Sequence, residues 1–262
     1  MPRILLTNDD GIDAPGLLYF ARSLFDVAEV RIVVPDRERS WVGKAITRYE
    51  TVTVERVDRD GLTMYACSGY PADCVQLGIH TLFPDEPDLV VSGINVGYNH
   101  GTAYLQSSGT AGAALEAGVA LIPAIAFSAG SMVVPWNDWK RDAISAAAAP
   151  MWQRVATVAA DIAERALAAA GPGDVLNVGI PDTASPGTER RITTVASVRY
   201  RRLFAGDGNG SFIHAHGGLD LDGASLEGTD VGAAHDAVIS ITPIAGAGHG
   251  PASPGLLDAV SG

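Results

Sequence analysis

With 262 residues, 47% of them hydrophobic and 18% charged, the chain can bury a full-sized core, which excludes disorder as a description of the whole. Thirty acidic residues against 18 basic give a net charge of −12, a field that repels nucleic-acid backbones and argues against DNA or RNA as partners. The same field repels a free phosphomonoester, so a phosphate ligand requires a local reversal of sign, most simply a bound divalent cation.

The run Met1–Leu6 is too short for a signal peptide and is cut off by Asn8-Asp9-Asp10. No stretch of 18 apolar residues follows, so a soluble, cytoplasmic protein without membrane partners is expected. Arg3–Thr7 reads as a buried strand entering the turn Asn8-Asp9-Asp10-Gly11, and Pro15–Phe25 carries apolar residues at helical spacing. Val30–Val34 is a second buried strand, closed by Pro35-Asp36. Thr51–Val57 and Leu62–Ala66, joined by Asp58-Arg59-Asp60-Gly61, read as a hairpin. Pro71–Phe83 is helical, Asp88–Val91 is a buried strand, Gly109–Val119 is an Ala-rich helix and Pro123–Phe127 is a strand. Cys67 and Cys74 have no disulfide or zinc spacing and read as buried thiols.

The low periodicity of Ala129–Pro150 reads as a loop into a long helix, Met151–Ala170, followed by a strand at Val175–Ile180. Arg190–Tyr200 and Ala237–Ile241 read as strands without partners in the main sheet, around the Gly- and Asp-rich stretch Gly206–Gly232. The last dozen residues read as a loose tail. Strands alternating with helices give an α/β fold: a doubly wound, mostly parallel, Rossmann-like sheet. The chain is read as a single domain, with a core to about residue 185 and a smaller strand-rich extension over about 186–262.

In an open α/β sheet, ligands bind beyond the carboxyl ends of the strands. Three polar clusters fall there: Asn8-Asp9-Asp10-Gly11, Asp36-Arg37-Glu38-Arg39-Ser40, and Ser92-Gly93-Ile94-Asn95 followed by Gly97, Asn99 and Gly101. Adjacent carboxylates repel unless a cation lies between them, and oxygen ligands of this kind suit Mg²⁺, Mn²⁺ or Ca²⁺ rather than zinc. Ser107-Ser108-Gly109-Thr110-Ala111-Gly112 opens the Ala-rich helix with small residues, a ready anion site, although the P-loop lysine and spacing are absent. Taken singly, Asp9-Asp10-Gly11 is also what a solvated turn looks like, Ser40 and Asn95 are ordinary loop residues, and Ser108 is an ordinary helix cap. Their joint appearance at successive strand ends favours the site. His100, His214 and His216 read as solvated loop residues, and Gly206–Gly210 as a turn.

The segments Leu5–Ile12, Ala14–Gly16, Val34–Ser40, Pro71–Val75 and Asp88–Asn95 closely resemble the SurE family of metal-dependent nucleotidases, and Ser108–Thr110, Glu227–Asp230 and Ser240–Pro243 fit it too. The resemblance implies one divalent metal per subunit on Asp9, Asp10, Ser40 and Asn95, with Asp9, Asp10 and Asn8 catalytic. It places phosphate on Asn8, Asn99, Ser108, Gly109 and Thr110. It implies hydrolysis of nucleoside 5′- and 3′-monophosphates, activity on short polyphosphate, and a homodimer or homotetramer with exchanged C-terminal segments. The chain departs from the family pattern at Trp41-Val42-Gly43-Lys44, where small residues are usual, at Tyr70, and between Gly101 and Ser108. A receiver-type signalling domain and a non-catalytic nucleotide-binding module are the alternatives. The first lacks an acceptor aspartate, since Asn95 holds that position, and neither Lys44 nor Lys140 ends a strand.

Overall fold

The computed structural model describes residues 1–245. The tail expected over the last dozen residues lies outside them. The first half carries β1 (Arg3–Thr7), α1 (Leu17–Phe25), β2 (Glu29–Pro35), β3 (Val54–Arg59), β4 (Leu62–Cys67), α2 (Pro71–His80) and β5 (Leu89–Val96). It continues with α3 (Gly101–Ser107), α4 (Gly109–Val119), β6 (Ala124–Gly130), α5 (Trp136–Ala143), α6 (Ala149–Ala169) and β7 (Val175–Pro181). Beyond these come β8 (Arg190–Ile192), β9 (Arg199–Tyr200), β10 (Phe204–Gly206), β11 (Phe212–His214), β12 (Leu219–Asp220), α7 (Asp230–His235) and β13 (Ile239–Ile244).

Nine strands form one sheet in the order β3-β4-β2-β1-β5-β6-β7-β13-β8. From β4 to β7 all neighbours are parallel, while β3 and β13 run antiparallel to β4 and β7. Both faces of the sheet's centre are covered, which is why its inner parallel strands are continuously apolar rather than alternating. Along β1, Ile4 and Leu6 join Phe20, Val155 and Trp152 on the side of α1 and α6. Leu5 points the other way, into the layer with Val75, Ala113 and Ala114 from α2 and α4.

The chain winds from β1 outward through β2 to β4, then returns to β5 on the other side of β1 and winds away through β6 and β7. The reversal lies between β1 and β5, so the crevice at their carboxyl ends is where ligand chemistry is favoured.

Three expectations are corrected. Ala129–Pro150 is not a loop: it holds α5, pinned because the Trp139 indole donates to Asp182 at 2.9 Å and the Trp152 indole donates to the Ala143 carbonyl at 2.8 Å. Arg190–Tyr200 is not one strand but the separate β8 and β9. The strands read as lacking partners have them, since β13 lies between β7 and β8 within the main sheet. That sheet therefore draws on residues from both sides of position 185. The Gly206–Gly210 turn joins β10 to β11 as a small separate hairpin.

Candidate active site

The end of β1 turns sharply under its own side chain. Asn8 donates its amide N–H to the Gly11 carbonyl at 3.0 Å and accepts from the Gly11 amide at 3.0 Å. Gly11 has φ +85°, and a Cβ there would lie 2.6 Å from the Arg37 carbonyl carbon, so only glycine lets the loop after β2 approach this closely. That loop is tied in turn: the Arg39 amide donates to the Asp9 carbonyl at 2.7 Å, and the Ile12 amide to the Pro35 carbonyl at 2.9 Å. The turn leaves Asp9 and Asp10 side by side in the β1–β5 crevice.

Asp9 is 3% exposed. The Thr110 hydroxyl donates to its Oδ1 at 2.6 Å from the first turn of α4. A Cβ on Gly109 would come 2.8 Å from the Asp9 Cβ and 3.1 Å from a Val42 methyl, so this glycine lets the helix start close over the carboxylate. Ser108 caps the helix by accepting from the Ala111 amide at 3.0 Å. Asp10, partly open, accepts from the Val96 amide at 2.9 Å. Burial, and for Asp10 also the charge of Asp9, pushes both carboxyls well above the usual carboxylate range. Among the described residues no arginine or lysine is within ion-pair distance of either, so this adjacent acidic pair has no direct ion-pair partner.

Asn95 continues the opposite wall from β5, donating to the Gly97 carbonyl at 2.6 Å and lying 3.4 Å from the Asn99 Oδ1. Asn99 is anchored through its backbone, its amide donating to Ser128 and its carbonyl accepting from Asn177. Its side-chain N–H₂ is buried without a partner, an orphaned donor in the crevice wall that suits an anion. Ser40 is exposed, and its hydroxyl donates to Glu38 at 2.7 Å rather than toward the carboxylates. No group of three or more His, Cys, Asp or Glu arranged to hold a metal is present among the described residues, so a cation here would rest on two carboxylates and neutral oxygens. That donor set fits a hard divalent cation.

Two residues at the site were not singled out from sequence. Glu38 adds negative charge felt by both aspartates, and Lys140, from α5, reaches toward Glu38 at 3.9 Å and offsets charge on Asp10. Glu38 stood within a quoted motif, but Lys140 lay in the stretch read as loop and had no signal. His100 corrects the solvated-loop reading. It is 5% exposed and stacks between Tyr98, 4.9 Å away, and Tyr104, 6.0 Å away. His214 and His216 are not free loop residues either, since both pack on Trp41.

A family model described as Survival protein SurE matches residues 4–202. The chain belongs to the SurE family. Among its relatives, a protein named 5′-nucleotidase SurE from Geotalea uraniireducens is 40% identical over 248 residues, covering 92% of both chains. Another of that name, from Methanothrix thermoacetophila, is 39% identical over 254 residues, covering 93% of this chain and 92% of its own. The crystal structure of the SurE protein from Aquifex aeolicus superposes with a TM-score of 0.73 at 30% identity, covering 99% of this chain and 98% of that one. This SurE chain thus shares the fold along nearly its whole length.

Proposed function

We propose that this chain is a metal-dependent phosphomonoesterase acting on nucleoside 5′-monophosphates, with further activity on 3′-monophosphates and short polyphosphate. The observation that carries the reading is the pair Asp9 and Asp10, adjacent at the switch point of the sheet and without a cationic partner among the described residues. Membership of a family whose relatives are named 5′-nucleotidase supports it.

Asp9 and Asp10 would hold the cation, Mg²⁺ or Mn²⁺, with Asn95 and with Ser40 once its hydroxyl turns from Glu38. When bound there, such an ion acidifies water and offsets charge on a phosphoryl group. By donating to Asp9, Thr110 favours its ionised form and partly offsets the effect of burial. Asn8, both of whose side-chain groups are bonded to Gly11, is a positioning residue that holds the two aspartates at the strand end. The free Asn99 amide and the small-residue start of α4 at Ser108 and Gly109 would hold phosphoryl oxygens. The enzyme would work in the cytoplasm as a homodimer or homotetramer. No helix among the described residues is long and apolar enough to cross a membrane.

Phosphate release from nucleoside 5′- and 3′-monophosphates, ribose 5-phosphate and tripolyphosphate should be measured in EDTA and then with Mg²⁺ or Mn²⁺. Hydrolysis that requires the metal and favours 5′-nucleotides is the expected result. Metal-dependent nucleotide binding with no phosphate release would make the chain a binding module instead.

A further inference from the structure

Beside the acidic site lies a cluster of five aromatic rings that the chemistry above does not use. Trp41 is at its centre, with ring centroids 4.7 Å from His214, 5.3 Å from His216, 5.4 Å from Tyr200 and 6.1 Å from Tyr104. The cluster is braced: the Tyr104 hydroxyl and His216 Nε2 are 2.6 Å apart, and the Tyr200 hydroxyl is 2.6 Å from Ser107.

Its place ties it to the site. Trp41 lies between Ser40 and Val42, and Val42 packs where a Cβ on Gly109 would go, next to Asp9. Tyr104 sits on α3, the helix that leads directly into Ser108 and Gly109.

Trp41 also takes a left-handed backbone, φ +62°, which a bulky residue adopts only at a steric cost. The indole is not there as core filling. Trp139 and Trp152 are buried with bonded N–H groups, whereas Trp41 stays 40% exposed and its N–H has no protein acceptor among the described residues. An open depression of about 330 Å³ adjoins the cluster, lined by Tyr200, Ser107 and the exposed Gln106.

We propose that Trp41, framed by Tyr104, Tyr200, His214 and His216, is a stacking platform for the nucleobase of the substrate, while the phosphate sits at Asp9, Asp10 and Asn99. This rests on the phosphatase reading above and adds what recognises the leaving nucleoside. Stacking suits a protein of net charge −12, because a neutral base face is held without a counter-charge and any base can be held. Gln106 offers an amide donor and acceptor at the edge of the platform.

The test compares wild type, Trp41→Phe and Trp41→Gly on AMP and on ribose 5-phosphate, with circular dichroism to confirm folding. The ratio of kcat/KM for AMP to that for ribose 5-phosphate should fall on the order of tenfold in Trp41→Gly, mostly through KM, and largely recover in Trp41→Phe. Adenosine, which has no phosphate, should quench part of the tryptophan emission of wild type and none of that of Trp41→Phe. An unaltered ratio in folded Trp41→Gly overturns the platform and leaves the phosphatase reading standing. If wild type releases phosphate from neither substrate with any metal, the phosphatase reading falls, yet quenching by adenosine that depends on Trp41 still supports the platform.

Discussion

The hydroxyl of Thr110 donates to Asp9 Oδ1 across 2.6 Å, joining the first turn of α4 to the end of β1. This bond opposes the effect of burial on the Asp9 carboxyl and ties one of its oxygens to α4. Thr110→Val keeps the shape and removes the donor. It should lower kcat/KM and weaken the apparent Mn²⁺ affinity by roughly 10–100-fold, with Thr110→Ser close to wild type. Equal activity of all three proteins across a Mn²⁺ titration would show that the bond has no part in the site.

Asp9 and Asp10 make a second, sharper case. Both are held by neutral donors, Asp9 by the Thr110 hydroxyl and Asp10 by the Val96 amide, and their charges oppose each other. Asp9→Asn or Asp10→Asn should reduce phosphate release to background, while at pH 8 in EDTA the melting temperature of either variant equals or exceeds that of wild type. The signs diverge because a carboxyl whose pKa is raised by folding contributes its full stabilisation only below its unfolded value. It loses that contribution as the pH rises through the folded value. Full activity in either variant at saturating Mn²⁺ rules out the assignment.

The parts of this site that sequence reveals are those where one segment carries both signals. Asn8-Asp9-Asp10-Gly11 follows an unbroken apolar strand, so its position and its chemistry are read together. Ser92–Asn95 differs from the reading that ended the strand at Val91: it lies within β5, which runs on to Val96 across an irregularity in its pairing with β6 between Ser92 and Asn95. What sequence hides depends on distant contacts. Helix α5 carries its apolar positions Trp136, Trp139 and Ala143 at helical spacing, but over only eight mostly polar residues after Pro135, too short a run to mark a helix by itself, and the contacts that hold it come from Asp182 and Trp152. Helix α3 begins at a glycine with φ +66°, whose amide donates to the buried Asp230 at 2.9 Å, a partner 129 residues away. The placement of β13 beside β7 likewise depends on pairing across more than fifty residues, which no local pattern encodes. The position of Ser40 relative to the carboxylates is a matter of rotamer, and its hydroxyl bonds Glu38.

Assembly can now be tested more cleanly than by truncation. Cutting the chain near Ala205 removes β13 from between β7 and β8 and should unfold the protein, so it says nothing about oligomers. The hairpin β10–β11 instead exposes Phe204, Phe212 and Ile213, an apolar patch on a projecting pair of strands. Phe212→Ser with Ile213→Ser should leave the melting temperature of the core nearly unaltered and shift the species seen by light scattering toward monomer. An intact chain that is already monomeric at micromolar concentration defeats the homo-oligomer proposal.

His100 supplies the pH dependence. Its ring is stacked between Tyr98 and Tyr104, its Nδ1 is buried without a partner, and burial, with His235 as a smaller repulsive influence, pulls its pKa down to about 3. Well above pH 6.5 neither the folded nor the unfolded chain protonates this residue, so its titration does not affect stability. Below that, the unfolded chain takes a proton that the folded chain refuses until about pH 3, so stability falls as the solution is acidified through this window. His100→Phe keeps the stacked ring and removes the titration. Between pH 6 and pH 4 the variant should therefore lose about 2 kcal/mol less unfolding free energy than wild type, read from urea denaturation at each pH. At pH 8 the two should differ only by what the exchange of rings does to packing. Parallel acid limbs for the two proteins would mean that His100 is protonated within the fold, and that the aromatic stack does not hold it neutral.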